Sequence, residues 1–327
     1  MNSSLRCFAV VAETLNITAS AKKLFLTQQC VSGHIKRLET QYDARLFHRK
    51  PKLALTAAGK ALLKTVKEIS VIESSLETEL RTISDGERGE LNFGIHAARS
   101  RVIMPEVLAS FVPQFPNVAL NIEFAETKQL ERMLLDGDID MFFGTNAERH
   151  SDYNYWHLMN EALYLVVSDH VLARYLGTDY ERKKALWSEN ADLADFVSVP
   201  FIFTHPISKI QGIVSAFLTS HNIKLQQAIM VRDHNLHVSL CANDLGACIC
   251  PRMMLGQVDE WNLTHQPGHR INVFPIKGLN QTVRIELITH RHAFLPKFAL
   301  AFQDAFAEAI GKFKDSPHRA TQSAPRD

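Results

Sequence analysis

The sequence predicts an α/β protein with an all-α-type head, on three observations. From residue 91 onward, strand-like and helix-like segments alternate, the signature of a largely parallel sheet layered with helices. Ahead of them, Thr18 to Leu38 reads as two short helices joined by a tight turn. Between the two regions, Leu62, Ile69, Leu76 and Ile83 fall seven residues apart on one long helix. At 327 residues the chain is too long for one typical domain and suits two or three.

The head begins with a helix over residues 3–14, with Leu5, Phe8, Ala9 and Ala12 on one side and Cys7 as a core residue. Thr18 is placed to cap the second helix, because its hydroxyl can accept from backbone N–H groups that lack an intrahelical partner. That helix runs out at Phe25-Leu26. Thr27 caps a third helix, from Gln28 to about Tyr42, in which Val31, Ile35, Leu38 and Tyr42 form one apolar stripe. The opposite face carries Gln28, Gln29, Ser32, Gly33 and Lys36, polar or small and never acidic, which suits the DNA major groove. Gln28 and Gln29 each offer a donor and an acceptor to a base edge, adenine best. Thr27 and Ser32 can take phosphate or base, and Thr18 and Lys36 complete the face. From Asp43 to Thr56, Leu46 and Phe47 are apolar anchors, and His48, Arg49, Lys50 and Lys52 surround Pro51. This reads as a two-stranded wing with a basic tip, made to follow phosphates or enter the minor groove. Charge agrees. Residues 1–60 hold ten Lys/Arg against three Asp/Glu, a net +7, and the remainder carries −6. A basic head on an acidic body implies a polyanion partner at the head alone.

The long helix runs from Thr56-Ala-Ala-Gly59 to about Ser84. Leu62, Ile69, Leu76 and Ile83 mark one seam position, Val66 and Leu80 the alternate one, and Glu73 interrupts it. A helix bridging two domains with an otherwise unpartnered seam is expected to pair with a second copy. Asp85 to Gly89 is a hinge. In the body, Leu91–Ile95, 118–124, 139–143 and 161–168 read as strands, with helices near 102–115 and 128–135 between them. A charged stretch at 173–195 is expected to add a helix near Tyr180–Trp187. A second unit follows, with strands within 196–203, at 228–231, 245–250, 271–276 and 283–289, and helices at 207–221, 234–242 and 296–313. The tail from 314 to 327 reads as disordered.

The run Thr18-x-x-Ala21-x-x-Leu24-x-x-Thr27-Gln28-x-x-Val31-Ser32-x-x-Ile35-x-x-Leu38-Glu39, with Leu46-Phe47-x-Arg49 and Leu55-Thr56-x-x-Gly59, resembles the N-terminal domain of LysR-type transcriptional regulators. Ala242-Asn-Asp-Leu-Gly246-x-x-x-x-Pro251 resembles that family's glycine turn and terminal strand. The resemblance implies a winged helix-turn-helix over 1–58 and a dimerising linker helix over 59–86. It also implies an effector domain over 91–313, of two Rossmann-like subdomains like those of periplasmic solute-binding proteins. The chain would cross between them near 167 and 269, giving subdomain I at 91–166 and 269–313 and subdomain II at 167–268. The expected partners are promoter DNA, a second copy in a homodimer or homotetramer, and RNA polymerase if the protein is an activator. The template departs at Gln29, Cys30 and Gly33, where many relatives have Pro, a small apolar residue and Arg.

A small polar or anionic metabolite is the expected effector, with no other cofactor. Its candidate contacts are Ala98, Arg99 and Ser100, read as a loop before a helix N-terminus. Thr127 and Phe203-Thr204 match the family's pocket, and Asn146 and Asn243 follow other strand ends. Ala98 stands where carboxylate-binding relatives carry Ser or Thr, and Arg99 is the expected compensation. Cys241, Cys248 and Cys250 are read as buried small hydrophobes rather than a thiol switch. His234/His237 and His290/His292 are read as surface pairs, with no metal-ligand spacing. No nucleotide fingerprint, nucleophile elbow or HExxH occurs, so no catalytic residue is expected. No run of membrane length and no signal pattern is seen, so a soluble cytoplasmic protein is expected. The competing readings, a solute-binding protein and an α/β enzyme with an appended head, lack a signal peptide and a catalytic constellation respectively.

Overall fold

The computed structural model describes residues 2–50, 52–85, 88–177, 179–232, 234–266 and 269–315. Wing residue Pro51, hinge residues Gly86-Glu87, the side chains of Ile83 and His234, and the tail from 316 lie outside the described residues.

The head is built from α1 (Ser3–Thr14), α2 (Ile17–Lys23) and α3 (Gln28–Gln41). The cap of α2 is Asn16, not Thr18. Asn16 holds the extended conformation a capping residue needs, and its side chain accepts from the Ala19 N–H at 3.0 Å. Thr18 lies one position inside the helix and is exposed. Thr27 does cap α3, accepting from the Cys30 N–H at 3.1 Å. Val31, Ile35 and Leu38 are buried with Phe8, Val11 and Ala21, each large side chain worth about 1.5–3 kcal/mol. Tyr42 is 49% exposed, because α3 ends before the stripe completes another turn. The wing is a short antiparallel pair, β1 (Phe47–His48) and β2 (Ala54–Leu55), with Phe47 opposite Leu55 and both Leu46 and Phe47 buried.

The long helix is α4 (Ala57–Asp85), started by Thr56, whose hydroxyl accepts from the Gly59 N–H at 3.0 Å. A Cβ at Gly59 would sit 2.1 Å from the Leu46 carbonyl oxygen, so only glycine lets the wing root press on the helix. The expected seam is divided. Val66 is 1% exposed and belongs to the head's own core, with half-buried Leu62 against it. Both are drawn inward because α4 completes the hydrophobic cluster of a head too small to close without it. Further along, Val71 is buried, Lys67 pairs with Asp136, and the Ser75 hydroxyl donates to the His292 carbonyl at 3.3 Å. On the outer face Ile72, Leu76 and Leu80 are 49%, 52% and 54% exposed.

The body continues as β3 (Gly89–Ile95), α5 (Ala97–Gln114), β4 (Val118–Phe124), α6 (Thr127–Asp136), β5 (Met141–Thr145) and β6 (Tyr153–Glu161). Next come β7 (Leu163–Ser168), α7 (Asp169–Leu176), α8 (Tyr180–Asn190), β8 (Pro200–Thr204), α9 (Lys209–Ser220), β9 (Gln226–Val231), α10 (His234–Ala242) and β10 (Ala247–Pro251). The chain ends in α11 (Gly256–Thr264), β11 (Ile271–Pro275), β12 (Val283–His290) and α12 (Lys297–Asp315). Two five-stranded sheets result, in the orders β4-β3-β5-β12-β6 and β11-β7-β10-β8-β9. Each has a parallel half and an antiparallel half, since β12 and β6, and likewise β7 and β11, pair antiparallel. The crossings lie outside the expected 167 and 269, because β7 and β11 pair with each other and both belong to the second sheet. A five-membered phenylalanine cluster, Phe93, Phe111, Phe143, Phe302 and Phe306, locks α5 and α12 onto the first sheet, with Phe93 and Phe302 edge to face at 5.0 Å. The added helix α8 is anchored by Trp187, buried on Phe196 and donating to Asp195 at 2.9 Å. No helix among the described residues is long and apolar enough to cross a membrane.

Candidate nucleic-acid interface and ligand cleft

Two candidate sites stand out, one on the head and one in the body. At the head, the capped start of α3 presents Thr27, Gln28, Gln29 and Cys30 to solvent, followed by half-buried Ser32 and exposed Gly33 and Lys36. The stripe Val31–Ile35–Leu38 is fully used in packing, His34 bonds Ser4 and Glu39 turns to the wing, so the glutamines, Gly33 and Lys36 are left on the outer face. Nothing lies within 4 Å of where a Gly33 side chain would begin, so the middle of this face is open. At the wing, Arg49, Lys50 and Lys52 are all exposed. Arg49 is steadied 3.7 Å from Glu39, whose other oxygen accepts from the Leu46 N–H at 2.9 Å. A single acidic residue of α3 thus aims a wing cation. Sequence reading missed Phe25. It sits in the turn between α2 and α3 at φ 54° and is 95% exposed.

In the body, a cleft of about 870 Å³ opens between the two sheets. One wall holds His96, Ala98, Arg99, Glu126, Thr127–Gln129 and Arg132 at the start of α6, Thr145 and Glu148; the other holds Pro206–Ile210, Gly212, Pro251 and Met254. Of the residues expected there, Ala98, Arg99 and Thr127 line it. The others do not. Asn146 is turned to β12, accepting from the Arg284 N–H at 2.8 Å, and the Asn243 amide, just past α10, donates back to the Ser239 carbonyl of that helix. Thr204 is buried behind the wall, its N–H donating to Gln211 at 3.1 Å, and Phe203 is packed beside it in the sheet.

The expected loop at 98–100 is already helix. His96 caps α5, its Nδ1 accepting from the Ala98 N–H at 3.2 Å, so Ala98, Arg99 and Ser100 are buried within the first turn. Arg99 is also committed elsewhere. It makes a bidentate ion pair with Glu161, Nη1 to Oε1 at 2.8 Å and Nη2 to Oε2 at 2.5 Å, with both side chains buried. Glu161 further accepts from the Met253 N–H at 2.7 Å. The guanidinium therefore ties α5 to the ends of β6 and β10 rather than offering its charge to a ligand. Charge in the cleft comes from Lys128, Arg132 and Lys209, with the side-chain-uncapped N-termini of α6 and α9 beside them. Lys209 reaches across to Glu148 at 2.9 Å, and Glu126 lies 3.4 Å from His96. Its hydrogen bond with His96, aided by Arg232 and His205 on the far side, holds the Glu126 carboxyl below its ordinary value.

Behind the cleft wall lies a cluster that sequence spacing did not disclose. His237, expected at the surface, is 1% exposed, since α10 turns it inward against Thr204. His290 is 2% exposed too, and its burial lowers its pKa. Cys241, Cys248 and Cys250 are fully buried, as expected of small hydrophobes. Hydrogen bonding from Cys248 and then His237 holds Cys250 below the ordinary thiol range, while Cys248 is raised by its bonds to Cys241 and Cys250 and by burial.

Residues 3–60 match the bacterial regulatory helix-turn-helix protein, lysR family, and residues 84–311 match the LysR substrate binding domain. The chain belongs to the LysR family. Among LysR relatives, the transcriptional regulator YtlI of Bacillus subtilis is 29% identical over 203 residues, 62% of this chain; the match spans only 61% of YtlI's own length. The crystal structure of CbnR with its target DNA superposes with a TM-score of 0.55 at 22% identity, covering 94% of this chain and all of CbnR. The effector binding domain of QuiR with shikimate superposes at 0.53 with 19% identity, covering 69% of this chain and 98% of that domain. These likenesses establish a shared LysR fold from head to body.

Proposed function

We propose that this LysR-family protein is a sequence-specific, DNA-binding transcriptional regulator whose promoter occupancy is set by a small molecule in the cleft. The observation that carries the reading is the outward face of α3: a capped helix start, two adjacent glutamines, and a cationic flank, held on a fully packed apolar back. In this role Gln28 and Gln29 read base edges, while Thr27, Ser32, Lys36, Arg49, Lys50 and Lys52 meet phosphates. A homodimer or tetramer, joined through the outer face of α4, brings two such helices to two half-sites.

A small anionic metabolite is the effector class the cleft favours, with Thr127, Lys128, Arg132 and the N-termini of α6 and α9 as its contacts. QuiR's complex with shikimate supports the class, since shikimate is a carboxylate. Such a ligand acts by binding one arrangement of the two lobes better than another. The deciding experiment is a gel shift over the protein's own upstream region. Gln28→Ala is expected to abolish promoter-specific binding while leaving the protein folded and oligomeric; undiminished specificity would remove α3 from the reading role.

A further inference from the structure

We propose that the second sheet of the body holds a buried site for a thiophilic d¹⁰ metal cation, built from His237, Cys248 and Cys250 with Cys241 as a fourth donor. Among the described residues, the ligand atoms of the first three lie within 4.8 Å of one another, and all three side chains are buried. The geometry follows from two periodicities. Cys248 and Cys250 are two apart on β10, so both thiols leave the same face of the strand. His237 and Cys241 are four apart on α10, so they stand one above the other on one helix face. That face packs on β10, and Cys241 hydrogen-bonds Cys248. Helix and strand thus bring an imidazole and two sulfurs to one point, with the Cys241 thiol beside Cys248, from a stretch of only fourteen residues.

The donor set selects the metal. Two thiolates and an imidazole suit a soft cation in a dry, low-coordinate site, as Cu⁺ prefers; adding Cys241 gives the four N/S donors of tetrahedral Zn²⁺. Hard cations such as Mg²⁺ and Ca²⁺ are excluded, because they require oxygen ligands. Thr204 lies 3.5 Å from the His237 ring and would orient it as a metal ligand. β10 also leads directly from Cys250 to Pro251 in the cleft wall, so an ion here would stiffen that wall. Binding would release the thiol protons to solvent and leave no other bond changed.

The test uses full-length protein, stripped with chelator and kept reduced. Zn²⁺ is titrated against a chromophoric competitor, and Cu⁺ is supplied anaerobically from a weak soluble complex. Co²⁺ serves as an optical reporter of thiolate ligation. One equivalent per chain is expected for at least one of the two d¹⁰ cations, with a sulfur-to-cobalt charge-transfer band for Co²⁺. Cys248→Ala and Cys250→Ala should each weaken binding by more than about 100-fold, beyond what loss of a merely supporting residue costs. Cys241→Ala separates the two cations: it should abolish the Zn²⁺ site and spare the Cu⁺ site. The charge-transfer band is read on the unmutated chain, so a variant that fails to fold does not decide the matter. Absence of stoichiometric binding by either cation, or binding that survives the Cys248→Ala/Cys250→Ala double variant in folded protein, would overturn the site.

Discussion

Arg99 is the residue whose role changed most between sequence and structure. An arginine near a helix start reads as an anion contact, yet its partner is Glu161, sixty-two positions away and across a sheet. No local pattern links the two, so the sequence showed the charge and hid its neutralisation. Removing one partner strands the other charge in a dry site. Arg99→Ala is expected to lower unfolding free energy by about 3–5 kcal/mol in urea titrations, whether or not ligand is present. Phe25 is the opposite case, a residue whose burden is conformational. At φ 54° it holds a left-handed backbone that bulky side chains resist, and it packs against almost nothing. Phe25→Asn should raise stability by about 0.5–1 kcal/mol, seen as a higher urea midpoint at unchanged slope. Thr27, by contrast, was fully legible, because a cap is decided by the three residues that follow it.

Among the elements, most helices and strands could be placed from their periods. Residues 3–14 and 118–124 match α1 and β4, and α10 spans the expected 234–242. Strand β6 was missed. Its sequence, YNYWHLMNE, does not alternate, since it is an edge strand whose faces are unevenly covered. Helix α4 shows the deeper limit. Heptad spacing revealed an apolar stripe but not which neighbour takes each turn of it. Val66 is spent on the head and Val71 on the body, leaving Ile72, Leu76 and Leu80 outward. If these residues join two copies, Leu76→Glu/Leu80→Glu should convert the protein to monomer by light scattering while each chain stays folded. Both side chains are more than half exposed in one chain, so folding alone should not notice the change.

At the scale of the whole molecule, charges from both lobes meet across the cleft. Lys209 on the second lobe meets Glu148 on the first, and Glu126 is hydrogen-bonded to His96 with Arg232 and His205 nearby. Folded Glu126 gives up its proton at lower pH than its ordinary value of 4.5. The unfolded chain therefore binds more protons in that window, and stability rises with pH through it. The contribution is complete above 4.5 and disappears as pH falls through the depressed folded value. Glu126→Gln should flatten the acid limb of a plot of urea midpoint against pH; an unchanged limb would assign it to other carboxylates. The Lys209–Glu148 contact joins the two lobes. It was invisible in the sequence for the same reason as the Arg99 pair: the fold, not the spacing, brings the partners together.

One last feature bears on how such a molecule can change. Gly33 occupies the centre of the exposed face of α3, and nothing lies within 4 Å of its absent side chain. Glycine inside a helix costs about 1 kcal/mol relative to alanine, so the fold would be better served by almost any other residue. The position is therefore free of structural obligation and open to rewriting. Gly33→Arg should fit without a clash, steady the helix, and carry a guanidinium into the groove, where guanine is its natural partner. If α3 reads DNA as proposed, a single codon would then separate one set of operators from another while the hydrophobic stripe beneath, Val31, Ile35 and Leu38, stayed as it is. On that reading the head keeps its address book and its scaffold on opposite sides of one helix.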